Sequence, residues 1–257
     1  MLSIRDRKLL TALERRKARE REGAFRAEGV RVVEDLLASD LTVRWVVSSP
    51  GLKASKRGER LVAQVEERGI RNHQISETEL ESLADTVTPQ GIIAVGEIPQ
   101  RDLARLAAIL AGDAVILVLD AVQDPGNFGT LVRTADAVGA SAVIALPGTV
   151  DSWNSKSVRA AAGSLFRLPI VRTTWPELLP WLRQEDFRVL ASSAEGDPIS
   201  QVGDIRRVAL VVGNEGAGIS DEIFANADRG VGVPLRGHAE SLNVTAAAAI
   251  LLYELLR

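Results

Sequence analysis

The sequence predicts an α/β protein built on a parallel sheet, and three observations carry that expectation. Short apolar runs alternate with stretches of helical period through the second half of the chain. The run AVILVLD at 114–120 is apolar on both faces, as central strands of parallel sheets are. Hydrophobic residues make up 46%, yet Phe, Trp and Tyr only 4%, which favours helices over buried strands rather than an aromatic-rich sandwich.

The first half, residues 1–96, reads as a small α/β domain. Ile4, Leu9, Leu10 and Leu13 recur at roughly helical spacing, which predicts one helix from Ile4 to about Glu22. FRAE at 25–28 is an extended candidate, VRVVEDLL at 30–37 a helix, and WVVSS at 45–49 a buried strand. Residues 58–68 form a helix closed by Gly69, and 72–75 a further strand. Ser76 with Glu79 has the capping-box pattern, and GIIAV at 91–95 is the last strand. Residues 97–112 are a linker carrying a short helix at 103–110.

The second domain, residues 113–257, alternates throughout. After the strand at 114–120 come helix 127–138, strand 142–146, helix 155–162, strand 168–171 and helix 177–184. Strands at 187–192, 208–212 and 230–233 follow, before a closing helix at 241–256.

Composition narrows the chemistry. There are no cysteines, which excludes disulfides, thiolate zinc sites and cysteine nucleophiles. His73 and His238 are the only histidines and lie far apart, so no metal centre is expected on histidine, while carboxylate-bound magnesium stays open. The first twenty residues hold no apolar core of signal-peptide length, and no stretch approaches a membrane span. A soluble, cytoplasmic protein is expected.

The net charge of −3 conceals an asymmetry. Residues 1–31 hold ten basic and five acidic side chains, against 21 and 29 in the remainder. Two readings stand: a patch that tracks phosphates through Arg15, Arg16, Lys17 and Arg19, or a solvated helix of mixed charge.

Three stretches carry chemistry. DPGNFGTLVRTADAVGA at 124–140 joins a strand to a helix through a glycine turn, with Asn127 and Arg133 projecting. ALVVGNEGAGIS at 209–220 runs a buried strand into Gly213, Asn214, Glu215, Gly216 and Gly218. Its spacing fits neither the dinucleotide fingerprint nor a P-loop, so a plain glycine turn is the competing reading. VPLRGHAESLNVTAAAAILLYELL at 233–256 opens an Ala-rich helix at Ser241, Leu242 and Asn243. Ser241 and Asn243 read either as site residues or as helix caps.

Together the three stretches resemble the SpoU (TrmH-like) family of RNA ribose 2′-O-methyltransferases, of the SPOUT class. An Asn followed six residues on by Arg is matched by Asn127 and Arg133. Gly-x-Glu-Gly-x-Gly is matched by Gly213, Glu215, Gly216 and Gly218, and Pro before Ser-Leu-Asn-Val by Pro234 and Ser241, Leu242, Asn243, Val244. FRAEGVRVVEDLL at 25–37 is similar, more weakly, to the family's small substrate-binding domain.

The resemblance implies a SPOUT domain with a deep trefoil knot over roughly 209–257, against the general rule that connections are unthreaded. It implies S-adenosylmethionine as donor, held by Gly213, Val233 and Leu242 with Asn214 nearby. It further implies an RNA substrate, ribosomal or transfer, and a homodimer in which the last helix is an interface element. Arg133 is the residue offered for the chemical step, with Asn127, Glu215, Ser241 and Asn243 positioning it and the ribose. Phe25 and Phe128 are candidates for stacking an unpaired base. Two other readings stand beside this one: an RNA-binding or ribosome-assembly factor without methyl transfer, and a methyltransferase with a non-RNA substrate.

Overall fold

A computed structural model describes residues 2–203 and 205–257. The chain opens with helices α1 (Ile4–Ala12) and α2 (Arg16–Glu22), strand β1 (Ala24–Glu28), helix α3 (Val30–Leu37) and strand β2 (Val43–Ser48). Then come α4 (Lys56–Glu67), β3 (Asn72–Gln74), α5 (Glu77–Glu81), β4 (Ile92–Glu97) and α6 (Leu103–Ile109). The middle runs through β5 (Ala114–Leu119), α7 (Pro125–Val138), β6 (Ala142–Ala145), α8 (Ser155–Ala160), α9 (Ser164–Arg167) and β7 (Ile170–Arg172). The last elements are α10 (Trp175–Gln184), β8 (Arg188–Pro198), β9 (Arg207–Val212), α11 (Asp221–Ala225), β10 (Arg229–Gly232) and α12 (Val244–Leu256). Among the described residues, no helix is long and apolar enough to cross a membrane.

Two compact units result: Met1–Gln100 with Asp151–Arg167, and Arg101–Val150 with Leu168–Arg257. The first is a four-stranded sheet in the order β1-β4-β2-β3, antiparallel except where β2 meets β3. Sequence periodicity predicts residues 155–162 as part of the second domain, whereas Asp151–Arg167 packs with the first unit. The reason is aromatic: the Phe25 ring lies 4.5 Å from Trp153 and 5.7 Å from Phe166 between centroids. Phe25 is fully buried, as is Phe128 in the second unit, so neither is available to stack a base.

The single helix expected over residues 4–22 is broken into α1 and α2. Leu10 and Leu13 are buried in the core, and the chain turns after them. Arg19 accounts for the break. It is 4% exposed, donates to the Asp151 carboxylate at 2.5 and 2.8 Å, and caps the Leu13 and Glu14 carbonyls left over by the turn. Arg19 is therefore a structural residue and not a phosphate contact. Arg15, Arg16 and Lys17 are exposed, with Arg16 held by Glu20 at 2.7 Å.

The second unit is a six-stranded, wholly parallel sheet in the order β10-β8-β9-β5-β6-β7. Ile116 and Val118 pack with Leu106, Trp175, Leu178 and Ile223. The alternate residues Val115, Leu117 and Leu119 are equally buried, so both sheet faces are covered. Helix α12 packs on α7 and β9 through a face that includes Ala248, Leu251 and Leu252. It begins at Val244 and not at Ser241, because Asn243 is its N-cap.

Candidate active site

The ends of β5 and β9, neighbours in the sheet, carry the first two motifs, at the carboxyl edge where open α/β sheets bind ligands. Beyond β5 the chain bends sharply, with Ala121 in the left-handed region at φ 54°. The Asp124 side chain then caps α7 by accepting from the Asn127 amide at 2.7 Å, and Pro125 fills the first helical position. This cap fixes where Asn127 points.

The loop after β9 is a tight turn in which Asn214 and Gly218 exchange backbone hydrogen bonds at 2.8 and 2.9 Å. Asn214 Oδ1 accepts from the Gly216 and Ala217 amides, while its Nδ2 donates to the Ala121 carbonyl at 2.9 Å. Glu215 completes the seam. Its carboxylate accepts from Asn127 Nδ2 at 3.0 Å and from the Gln123 and Asp124 amides at 3.3 and 3.2 Å. Burial pulls the Glu215 pKa upward, but the hydrogen bonds from Asn127 and the backbone amides outweigh it and hold the group below 4.5.

A cleft of about 270 Å³ opens beside this seam. Gly213, Asn214, Glu215, Val233, Ser241 and Leu242 all line it, so residues from the second and third motifs converge. Ser192, Ser193 and Ala194 line it too, residues that no motif in the sequence singles out. Their signal was a polar run, SSAEG, at the carboxyl end of a buried strand. The ladder between β8 and β10 skips from Ala191–Gly230 to Asp197–Val231, looping residues 192–196 out toward the cleft. Backbones touch there: a Cβ on Gly232 would lie 2.5 Å from the Ser193 carbonyl oxygen.

Three predicted residues fall elsewhere. Arg133 is exposed on α7, does not line the cleft and makes no hydrogen bond or ion pair among the described residues. Six residues of helix separate it from Asn127, which sets the two about 120° apart around the axis. Asn243 also stays outside the cleft; its Oδ1 accepts from the Thr245 amide at 2.8 Å, as a helix cap. Asn127 reaches the cleft only through Glu215. Gly213 lines the cleft, yet its missing side chain is required by the loop itself, since a Cβ would sit 2.1 Å from the Gly218 carbonyl carbon.

The lining fits S-adenosylmethionine. Among the described residues that line it there is no Lys or Arg, and Glu215 is the sole charged side chain, which suits a cationic ligand without phosphates. Leu235 and Leu242, 38% and 36% exposed, offer apolar edges for an adenosine.

Residues 114–253 match the family model of the SpoU rRNA Methylase family, and residues 7–94 that of the MRM3-like substrate binding domain. The chain is 38% identical over 244 residues to the 23S rRNA (guanosine(2553)-2′-O)-methyltransferase RlmP of Bacillus subtilis, covering 95% of this chain and 92% of that protein. It is 32% identical to the 23S rRNA (uridine(2479)-2′-O)-methyltransferase of Streptomyces viridochromogenes, covering 94% and 85%. Among solved structures, the SpoU methyltransferase AviRb of Streptomyces viridochromogenes in complex with AdoMet superimposes with a TM-score of 0.87. That match has 30% identity and covers 99% of this chain and 97% of that one.

Proposed function

Because the chain belongs to the SpoU rRNA methylase family, we propose that its substrate is 23S ribosomal RNA. The protein is an S-adenosylmethionine-dependent RNA ribose 2′-O-methyltransferase. The observation that carries the substrate is its likeness along nearly the whole chain to two enzymes named for 23S rRNA. A ribosomal RNA substrate supports a cytoplasmic location.

The donor supplies a methyl group on a sulfonium. Gly213, Asn214, Val233 and Leu242 hold it in the cation-free cleft, which Ser192 and Ser193 also line. Family membership implies the trefoil knot.

A ribose hydroxyl is a poor nucleophile and must shed its proton as the new bond forms. An unaided guanidinium base would cost about 8 kcal/mol, its pKa lying about six units above neutrality. Arg133 instead grips the adjacent phosphate and the developing alkoxide with its planar fork, while phosphate or water takes the proton. Glu215, fixed by Asn127, and Ser241 position the ribose. Asn243 acts at one remove, by setting the start of α12 and thereby the strand of loop that carries Ser241.

The protein works as a homodimer through its catalytic domain. Ile250 and Tyr253 on α12, 41% and 61% exposed, give that helix an outward apolar face beside α7. A second copy is the proposed source of the cation that the cleft lacks, since Arg133 does not line the cleft of its own chain.

The test is methylation of total RNA from a strain lacking this enzyme, with labelled donor, followed by separation of the RNA species. Label in 23S rRNA is expected. Label confined to transfer RNA or 16S rRNA would reject the proposed substrate.

A further inference from the structure

In the first unit, β1 ends at Glu28 and the chain turns at Gly29 into α3, while residues 85–90 border the same turn. A cleft of about 210 Å³ opens there, lined in part by Arg31, Thr86, Thr88, Gln90 and Arg159. The loop beside it is fixed at both ends. Glu28, 4% exposed, accepts from the Asp85 amide at 2.8 Å, the Thr86 amide at 3.1 Å and the Thr86 hydroxyl. Arg26, 1% exposed, holds Glu28 at 3.0 Å and the Leu83 carbonyl at 2.7 Å. At the far end, Gln90 Oε1 accepts from the Val30 amide at 2.8 Å.

Removing two ions from water is expensive, and a buried pair is poor evidence of stability for its own sake; what it secures is geometry. The geometry secured here is a loop whose tip, Val87, is as exposed as in an extended chain, at 103%. Beside it, the exposed Arg31 guanidinium makes no hydrogen bond or ion pair among the described residues. A free cation, two hydroxyls and an amide thus border a cavity smaller than the roughly 300–1,000 Å³ of ordinary small-molecule sites, and the exposed Val87 stands between the lining residues Thr86 and Thr88 in the chain.

We propose that this cleft takes one unpaired nucleotide of the RNA substrate, with Arg31 on a phosphate, Val87 against the base face, and Thr88 and Gln90 at the base edge. The assignment rests on the RNA-methylating function above. Base-paired RNA hides its base faces, whereas unpaired loops can splay a base onto an apolar surface. Arg31 then supplies phosphate attraction that buried Arg19 does not.

The test uses the full-length protein, an in vitro transcript of 23S rRNA and a fully paired hairpin as probes. Arg31→Ala is expected to weaken transcript binding about tenfold and to lower the slope of log K against log salt by about one. Val87→Ser, at a site with no packing to lose, is expected to weaken transcript binding a few-fold without changing the slope or hairpin binding. Donor affinity, measured by calorimetry, is expected to stay constant in both. Unchanged transcript affinity in both variants would overturn the proposal. So would equal losses on hairpin and transcript, or losses seen with whole ribosomal subunits and not with naked RNA, which would indicate a protein partner. Methylation of the transcript by the unaltered protein is scored separately: its failure would sink the activity, while the binding constants would still judge this cleft.

Discussion

Asn127 Nδ2 donates to Glu215 Oε1 at 3.0 Å, joining the first turn of α7 to a loop 88 residues further along the chain. Glu215 also receives the Gln123 and Asp124 amides, so every donor around it needs an acceptor. Glu215→Gln places an NH₂ group among those donors. It is expected to destabilise the protein by about 1–3 kcal/mol and to weaken donor binding, as read by thermal unfolding and calorimetry. The pH dependence has a definite sign. A carboxylate with a depressed folded pKa stabilises above its unfolded value, near 4.5, and loses that contribution as pH falls through the folded value. The difference in Tm between the two proteins should be constant from about pH 5 upward and shrink in acid. A difference that grows as pH falls would contradict the assignment.

Two glycines of the same loop should behave differently. Gly213→Val drives side-chain atoms into the Gly218 backbone and should give poorly folded protein. At Gly216 a Cβ would meet nothing closer than Asn214 Oδ1 at 3.7 Å, so Gly216→Ala should fold normally. Its methyl group enters the donor cleft, and donor affinity should fall about tenfold, equivalent to about 1.4 kcal/mol. Normal affinity in a folded Gly216→Ala protein would move the donor elsewhere.

The N-terminal cations separate into two classes. Arg19→Ala leaves Asp151 without its partner and should cost about 3–5 kcal/mol of stability. Arg15→Gln and Lys17→Gln, at exposed positions, should change stability by less than about 0.5 kcal/mol. If these two contact phosphates, the salt dependence of RNA binding should flatten in the pair. An unaltered slope would return α2 to an ordinary solvated face.

Arg133→Lys keeps the charge and loses the fork. Single-turnover methylation should slow about 100-fold or more, while donor affinity stays within a few-fold. A near-normal rate would make Arg133 a surface charge and remove the alkoxide-gripping role.

Much of this was legible in the sequence because local signals and tertiary needs agree. AVILVLD is a central strand, VRVVEDLL is helix α3 to the residue, and Ser76 accepts from the Glu79 amide as its spacing predicted. The glycine turn beside the cleft was legible for a related reason: glycines at a strand end mark closely approaching backbone, which at Gly213 is the backbone of Gly218. What sequence could not supply was partnership across long separations. Phe25 looked like a base-stacking aromatic until Trp153 and Phe166 covered it, and Arg19 like a phosphate contact until Asp151 claimed it. The strand expected from sequence stops at Ser192 and leaves residues 193–196 unassigned, because the register jump against β10 depends on a strand more than thirty residues further along the chain.

The position of the transferred methyl group tests the central claim most directly. With 23S rRNA and donor labelled in the methyl group, the product is digested by alkali, which needs a free 2′-hydroxyl to cleave the chain. Ribose 2′-O-methylation predicts that the label survives in an alkali-stable dinucleotide. Label released in a mononucleotide, carried on a base, would contradict it.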